Sequence, residues 1–136
     1  MKVKLDEGAF VPTRAHETDA GLDIRSKEDR LIEAKDSASF RTGVHVQLPK
    51  NTCGLLVSKS GLLVNHGIIS TGLIDEGYTG EIVAKLFNLS GFDYEVKKGD
   101  KITQMVVLQC CYETLELVKE LSETARGDCG FGSTGR

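Results

Sequence analysis

From Gly43 the sequence runs GVHVQLP, setting Val44, Val46 and Leu48 against His45 and Gln47. That period of two marks a strand with one face buried, because successive side chains point to opposite sides of a pleated backbone. The same alternation returns in EIVAKLFNLS from Glu81, where Ile82, Ala84 and Leu86 oppose Val83, Lys85 and Phe87. KITQMVVLQCCY from Lys101 is more continuously apolar, as an interior strand should be. Turn-forming clusters separate the runs: Pro49-Lys50-Asn51, Ser90-Gly91 and Lys98-Gly99-Asp100. Only residues 60–64 read as a short helix, with Ser60 as its cap and Gly61 in its first turn, and no segment carries a long helical stripe. Such a pattern predicts an all-β chain, a distorted jelly-roll sandwich or barrel with one short helix.

At 136 residues the chain is large enough to bury one core and too short for two ordinary ones. Its 15 glycines, 2 prolines and lack of tryptophan favour tight turns between short strands. After Leu121 the composition changes to SETARGDCGFGSTGR, nearly without aliphatic residues, which cannot pack a core. The expected division is a β domain over 1–121 and a flexible C-terminal arm over 122–136. A net charge of −3 argues against a broad grip on a nucleic-acid backbone, so any anion site must be local. No run has the apolar length of a secretory leader or of a membrane span, which takes roughly 18 residues. A soluble, intracellular, cytoplasmic protein is therefore expected. Cys53, Cys110, Cys111 and Cys129 form no CxxC pair, and neighbours such as Cys110 and Cys111 do not readily bridge each other. Neither a zinc site nor a disulfide framework is indicated, and buried or inert thiols are expected.

GLIDEGYTGE, over residues 72–81, is the most informative stretch. A turn between two strands would present Asp75 and Tyr78 together, a carboxylate base beside an aromatic platform; the plain alternative is a hairpin in which both merely satisfy turn geometry. RGDCGFGSTG, over 126–135, sets one cation, one aromatic and two hydroxyls among four glycines. Its backbone N–H groups could converge on phosphate oxygens, with Arg126 clamping a terminal phosphate and Phe131 stacking on a base. A frayed terminus is the alternative, although lids are themselves drawn from low-stability segments. SKSGL, over 58–62, combines a lysine, a hydroxyl and a glycine where a strand passes into a helical turn, so N–H groups would face an anion. TDAGLDIRS offers Asp19 and Asp23 around Gly21, which by themselves read first as solvated turn acids, and GDKITQ supplies Gln104, an amide donor or simply a surface residue.

Taken in order, AGLDIRS, SKSGL, GLIDEGYTGE, GDKITQMVV and RGDCGFGSTG resemble the five motifs of the homotrimeric deoxyuridine triphosphatase (dUTPase) family, spread over nearly the whole chain. The resemblance implies hydrolysis of dUTP to dUMP and diphosphate, which limits uracil in DNA and supplies dUMP for thymidylate synthesis. It also implies a jelly-roll subunit and a threefold trimer whose active sites are shared between subunits and closed by the C-terminal arm. Asp75 is then the catalytic residue, binding the deoxyribose 3′-hydroxyl and orienting the water that attacks the α-phosphorus. Tyr78 packs under the sugar and rejects a 2′-hydroxyl. The backbone from Ile68 to Ile74, including Ile69, Gly72 and Leu73, would read uracil as a base pair does, and Val83 joins the substrate contacts. Lys59, Ser60, Gly61 and Gln104 correspond to phosphate contacts and Arg126 to the γ-phosphate clamp. Phe131 corresponds to the residue stacking on uracil, and Gly132, Ser133 and Thr134 to the phosphate cover. Mg²⁺ is the implied cofactor, held chiefly by phosphate oxygens and water, with Asp23 reaching it through water or orienting a nearby cation.

Three positions depart from the family pattern. Lys59 stands where arginine is usual, a point charge in place of a planar fork, which weakens the expected phosphate grip. Cys129 replaces a usual glycine and restricts arm closure if that position needs φ > 0. The connection between the second and third motifs is short and leaves Ile69 where several members carry an asparagine that touches uracil, so base recognition would rest on backbone. The nearest enzymatic rival, the related dCTP deaminase, needs a glutamate ten residues beyond the Asp75 position; this chain has Lys85 there, a poor general base at neutral pH. A second rival keeps the fold and the nucleotide pocket but acts as a nucleotide-sensing regulator of a protein partner.

Overall fold

In a computed structural model, which describes residues 1–130, the described chain forms β1 (Lys2–Leu5), β2 (Gly21–Arg25), β3 (Arg30–Ile32), β4 (Ser37–Gln47), β5 (Thr52–Val57), α1 (Ser60–His66), β6 (Ile68–Ile74), β7 (Glu81–Asn88), β8 (Tyr94–Val96) and β9 (Lys101–Gln109). Phe131, Gly132, Ser133 and Thr134 lie outside the described residues. Seven strands pair in the order β1-β4-β7-β6-β5-β9-β2, and β3 with β8 makes a separate ribbon. The large sheet curls on itself. β2 is its last strand and β4 its second, yet Leu22 and Ile24 share one core with Val44, Val46, Leu56, Ile82 and Met105. A second core joins Ile32 and Val96 of the ribbon to Phe40, Ile68, Leu86 and Ile102. The all-β, jelly-roll-like architecture with one short helix stands as expected.

The period-two readings hold in register. Ile82, Ala84 and Leu86 are fully buried while Val83 and Phe87 are exposed, and Val44, Val46 and Leu48 are buried beside an exposed Gln47. Each of the valine, leucine and isoleucine side chains contributes about 1.5–3 kcal/mol when buried, so a one-residue slip would forfeit the whole set. β9 lies between β5 and β2, the interior position its composition predicts. β4 is longer than its alternating part, and it contains a bulge. Arg41 pairs with Val83, but the next pair is His45 with Glu81, so extra residues of β4 bow out between them. Gly43 sits in this bulge at φ +68, where an added Cβ would come within 2.7 Å of the Ala9 Cβ. Thr42, fully buried, is satisfied there by donating to the Ile82 carbonyl at 2.6 Å and accepting the Val44 N–H at 3.2 Å.

The helix cap and the burial of the cysteines differ from the sequence reading. Lys59, in an extended conformation, is the N-cap of α1, without a side-chain cap bond; Ser60 is the first helical residue, and the helix runs on to His66 before the left-handed Gly67 ends it. After β9 the chain is held at Cys110, whose N–H donates to the Asn51 carbonyl, and at Tyr112, whose hydroxyl donates to Glu76. Leu115, Leu117 and Leu121 are almost wholly exposed. The four cysteines are free but none is buried: Cys53 and Cys110 are partly covered, Cys111 and Cys129 exposed, and a hydrogen bond with the Cys53 thiol pushes the Cys110 thiol up. Among the described residues no helix is long and apolar enough to cross a membrane.

Candidate active site

β6 and β7 form a hairpin that does not stay closed. Their ladder covers only Ile68↔Asn88, Ile69↔Phe87 and Ser70↔Leu86. Beyond it β6 pairs with β5 alone, Thr71 with Val57 and Leu73 with Leu55, while β7 keeps only the β4 partner it has along its length. The facing edges part into a cleft lined by Leu73, Ile74, Asp75, Tyr78, Glu81 and Val83. Strand edges that leave their partner present main-chain donors and acceptors to whatever fills the gap.

Asp75 follows the last residue of β6, anchored through Ile74, which is buried in the first core. Its carbonyl accepts the Tyr78 N–H at 3.0 Å, closing a turn that brings both side chains to one cleft. Tyr78 donates its hydroxyl to the Glu81 carbonyl at 2.9 Å. Its ring lies so close over Gly80 that a Cβ there would meet Cζ at 2.5 Å, which explains a glycine at that position. The Glu81 carboxylate, its side chain 9% exposed, accepts from Arg41 Nη2 at 2.5 Å and from the Gly43 N–H at 2.8 Å. Burial works to raise its pKa, but the Arg41 and Gly43 bonds outweigh that and hold it below the usual carboxylate value. Glu76 ties the same loop down on its other side, accepting the Asn51 N–H and the Tyr112 hydroxyl at 2.8 Å each.

A second cavity is lined by Asp19, Gly21, Asp23, Lys59, Lys101 and Gln104, among others. Asp23, on β2, is 5% exposed, and each of its oxygens faces an ammonium group: Lys59 at 2.5 Å and Lys101 at 2.7 Å. Burial pushes its pKa up, the two lysines pull it down further, and the net result is a carboxylate held below its ordinary value. Gln104 donates to the Ser58 carbonyl at 3.1 Å. Its amide packs against Gly21, where an added Cβ would lie 2.5 Å from Oε1. Ser58 exchanges bonds with Ser70, and the Ser70 hydroxyl donates to Thr103, fastening the junction of β5, β6 and β9 beneath this cavity.

Of the residues expected from sequence, Leu73, Ile74, Asp75, Tyr78 and Val83 meet at the cleft, and Lys59, Gln104 and Asp23 at the second cavity. The two cavities share no lining residue. Ile69 lies in the closed part of the hairpin opposite Phe87, and Gly72 pairs with Leu56. Ser60 and Gly61 open α1 next to Lys59. Arg126 is exposed, its guanidinium turned onto the Cys129 carbonyl at 2.9 Å, and lines neither cavity. Sequence reasoning passed over Glu81 and Lys101, although both stand inside segments it singled out. Their partners, Arg41 and Asp23, are 40 and 78 residues away along the chain, and only the strand order brings them together.

A family model described as dUTPase matches residues 7–135. The chain is 45% identical, over 135 residues, to the deoxyuridine 5'-triphosphate nucleotidohydrolase of Clostridium acetobutylicum, covering 97% of this chain and 93% of that protein. It is 42% identical to that of Paramecium bursaria Chlorella virus 1, covering 97% and 94%. Among solved structures it is similar to the Staphylococcus bacteriophage 80alpha dUTPase with dUPNHPP, at TM-score 0.93 and 32% identity over 99% of this chain and 98% of that one. It is also similar to a variant dUTPase from phage phi11 of S. aureus, described for its coordination of a structural Mg(II) ion, at TM-score 0.81 and 31% identity over 88% and 96%.

Proposed function

This chain belongs to the dUTPase family and is a dUTP diphosphatase, and we propose that Asp75 directs the water that attacks the α-phosphorus of the nucleotide. The single observation behind this reading is the opened hairpin: it sets one carboxylate, one aromatic ring and two free strand edges around the same cleft. Edges left unpaired can hydrogen-bond a pyrimidine through backbone alone, and a site built to pair polar groups rejects analogues with the wrong donor by up to about 10⁴. Tyr78, pinned between Gly80 and the Glu81 carbonyl, has little freedom to make room for a 2′-hydroxyl. Asp75 would hold the 3′-hydroxyl and aim a water in line, the two tasks that hydrolysis at phosphorus asks of a protein besides neutralising charge.

Neutralisation falls to Lys59, with the N–H groups of Ser60 and Gly61 and with Gln104 nearby, and to Arg126 once the arm carries it to the nucleotide. Mg²⁺ would supply further positive charge on the phosphate oxygens. No group of three or more His, Cys, Asp or Glu side chains suited to a metal stands among the described residues, and both Asp23 oxygens are engaged by lysines. The donor set therefore fits an ion carried by the nucleotide, with Asp23 orienting Lys59 rather than serving as a ligand. Phe131 and Gly132 to Thr134 would complete the site as base stack and phosphate cover. We propose a homotrimer with shared sites, because the asserted groups divide between two cavities and the exposed Leu115, Leu117 and Leu121 need a partner surface.

The test is pyrophosphate release from dUTP, UTP, dTTP and dCTP in Mg²⁺, with wild type and Asp75→Asn. Selective release from dUTP, abolished in the variant while nucleotide still binds, is expected. Full turnover by Asp75→Asn would remove Asp75 from its role.

A further inference from the structure

Resting on the dUTPase reading of the opened cleft, a further inference concerns what keeps its aromatic wall in place. The loop over residues 75–80 has no strand partner; the Asp75–Tyr78 turn and the Glu76 contacts hold its first half, and the Tyr78 hydroxyl is held by the start of β7. That start is bolted to the β4 bulge. The register slip between Arg41 and His45 turns the Gly43 N–H away from any ladder partner, and the Glu81 carboxylate takes it at 2.8 Å. The other carboxylate oxygen is held by Arg41 through Nε at 2.7 Å and Nη2 at 2.5 Å, with Lys27 4.0 Å from the first. From the same bulge, His45 Nδ1 lies 3.0 Å from the Thr79 carbonyl, one residue beyond Tyr78. The main chain of Glu81 then closes the circuit, since its carbonyl receives the Tyr78 hydroxyl at 2.9 Å. One residue thus grips the scaffold with its side chain and the platform with its backbone.

We propose that Glu81 is a positioning residue for sugar selectivity: by anchoring the first residue of β7 to the β4 bulge it fixes the Tyr78 ring at the height that admits deoxyribose and excludes ribose. The bulge serves as a clamp beneath the nucleoside cleft, and Arg41 belongs to it although it does not line the cleft. A displacement of the ring on the order of 1 Å is enough to cost up to about 100-fold in rate.

The experiment measures pyrophosphate release with dUTP and with UTP for wild type, Glu81→Ala and Arg41→Met, together with Tm. Arg41 has a side chain 69% exposed, so its replacement leaves the core untouched and remains informative should Glu81→Ala fail to fold. The dUTP-to-UTP ratio of kcat/KM should fall about tenfold in Glu81→Ala, chiefly through a raised KM for dUTP, and about threefold in Arg41→Met. A Tm loss with an unchanged ratio in both variants would reduce Glu81 to a structural ion pair and overturn the proposal. Equal use of dUTP and UTP by the wild type would instead overturn the functional reading on which it rests.

Discussion

Replacing Lys101 by methionine takes one of two cations from a carboxylate that has almost no water. Asp23 is 5% exposed, with Lys59 2.5 Å from one oxygen and Lys101 2.7 Å from the other. Methionine preserves most of the apolar stem, so the loss is confined to charge and donor. One buried oxygen is left without a partner, and a charge-assisted hydrogen bond of this kind contributes about 1.5–3 kcal/mol net. Because Lys59 stays in place, the penalty of about 3–5 kcal/mol for a wholly uncompensated ion does not apply. A loss of about 2 kcal/mol is expected at neutral pH. The sign of its pH dependence follows from the direction of the shift. Burial raises the Asp23 pKa, the lysines more than reverse this, and the folded value lies below the ordinary 3.8. A carboxyl depressed by folding stabilises the protein above its unfolded pKa, and that stabilisation disappears as pH falls through the folded value. Urea unfolding of wild type and Lys101→Met at equal protein concentration should therefore show the full gap near pH 7 and a narrowing one as pH falls below the ordinary 3.8 towards the folded value. A gap that persists undiminished in acid, or one under about 0.5 kcal/mol at neutral pH, the range of ordinary surface changes, would refute the reasoning.

Gly80→Ala places a methyl 2.5 Å from the Tyr78 Cζ, so the ring must move; KM for dUTP should rise about tenfold, and an unchanged KM would deny Tyr78 its place under the sugar. The bond from Tyr112 to the Glu76 carboxylate pushes the phenol up to about 12, and ultraviolet titration of Glu76→Gln should bring it back towards its ordinary 10.0. Refolding an equal mixture of Asp75→Asn with a chain truncated before Arg126 should restore about a quarter of the wild-type rate if one chain supplies the carboxylate and another the arm. A mixture no faster than its separate components would speak for self-contained sites.

What could be read in the sequence was whatever depends on neighbours along the chain. The strand faces of Val44, Val46, Ile82, Ala84 and Leu86 follow from a period of two, and the joint placement of Asp75 and Tyr78 follows from a short turn between apolar runs. The β4 bulge was not legible, because Gly43 interrupts no alternation and its geometry is set by Glu81 and Ala9, distant in sequence. Asp23, by its own segment, reads first as a solvated turn acid, yet it is buried. Its burial depends on β2 pairing with β9, which delivers Lys101 to one side, and on the β5-α1 junction, which delivers Lys59 to the other. The helix cap lies one residue before the serine that the sequence favours, because Lys59 adopts the extended conformation and backbone geometry outweighs side-chain preference here.

The Asp23 cluster bears on the substitution of lysine for the arginine usual at position 59. An arginine could hold Asp23 with one edge of its fork and a phosphate oxygen with another, so a single residue would serve both partners. A lysine offers one nitrogen, and with Asp23 2.5 Å away that nitrogen is shared between a buried carboxylate and any arriving anion. Lys101 changes the balance. It satisfies the second Asp23 oxygen at 2.7 Å, so this one carboxylate faces two ammonium groups, while Asp19 lines the same cavity as a second acid. When Lys59 turns towards a phosphate, Asp23 is not left as an unpaired buried ion, which would otherwise oppose the movement by several kcal/mol. If Lys59 binds phosphate as proposed, the weaker grip expected of a point charge would be confined to lost bidentate geometry, with the electrostatic part of that binding retained.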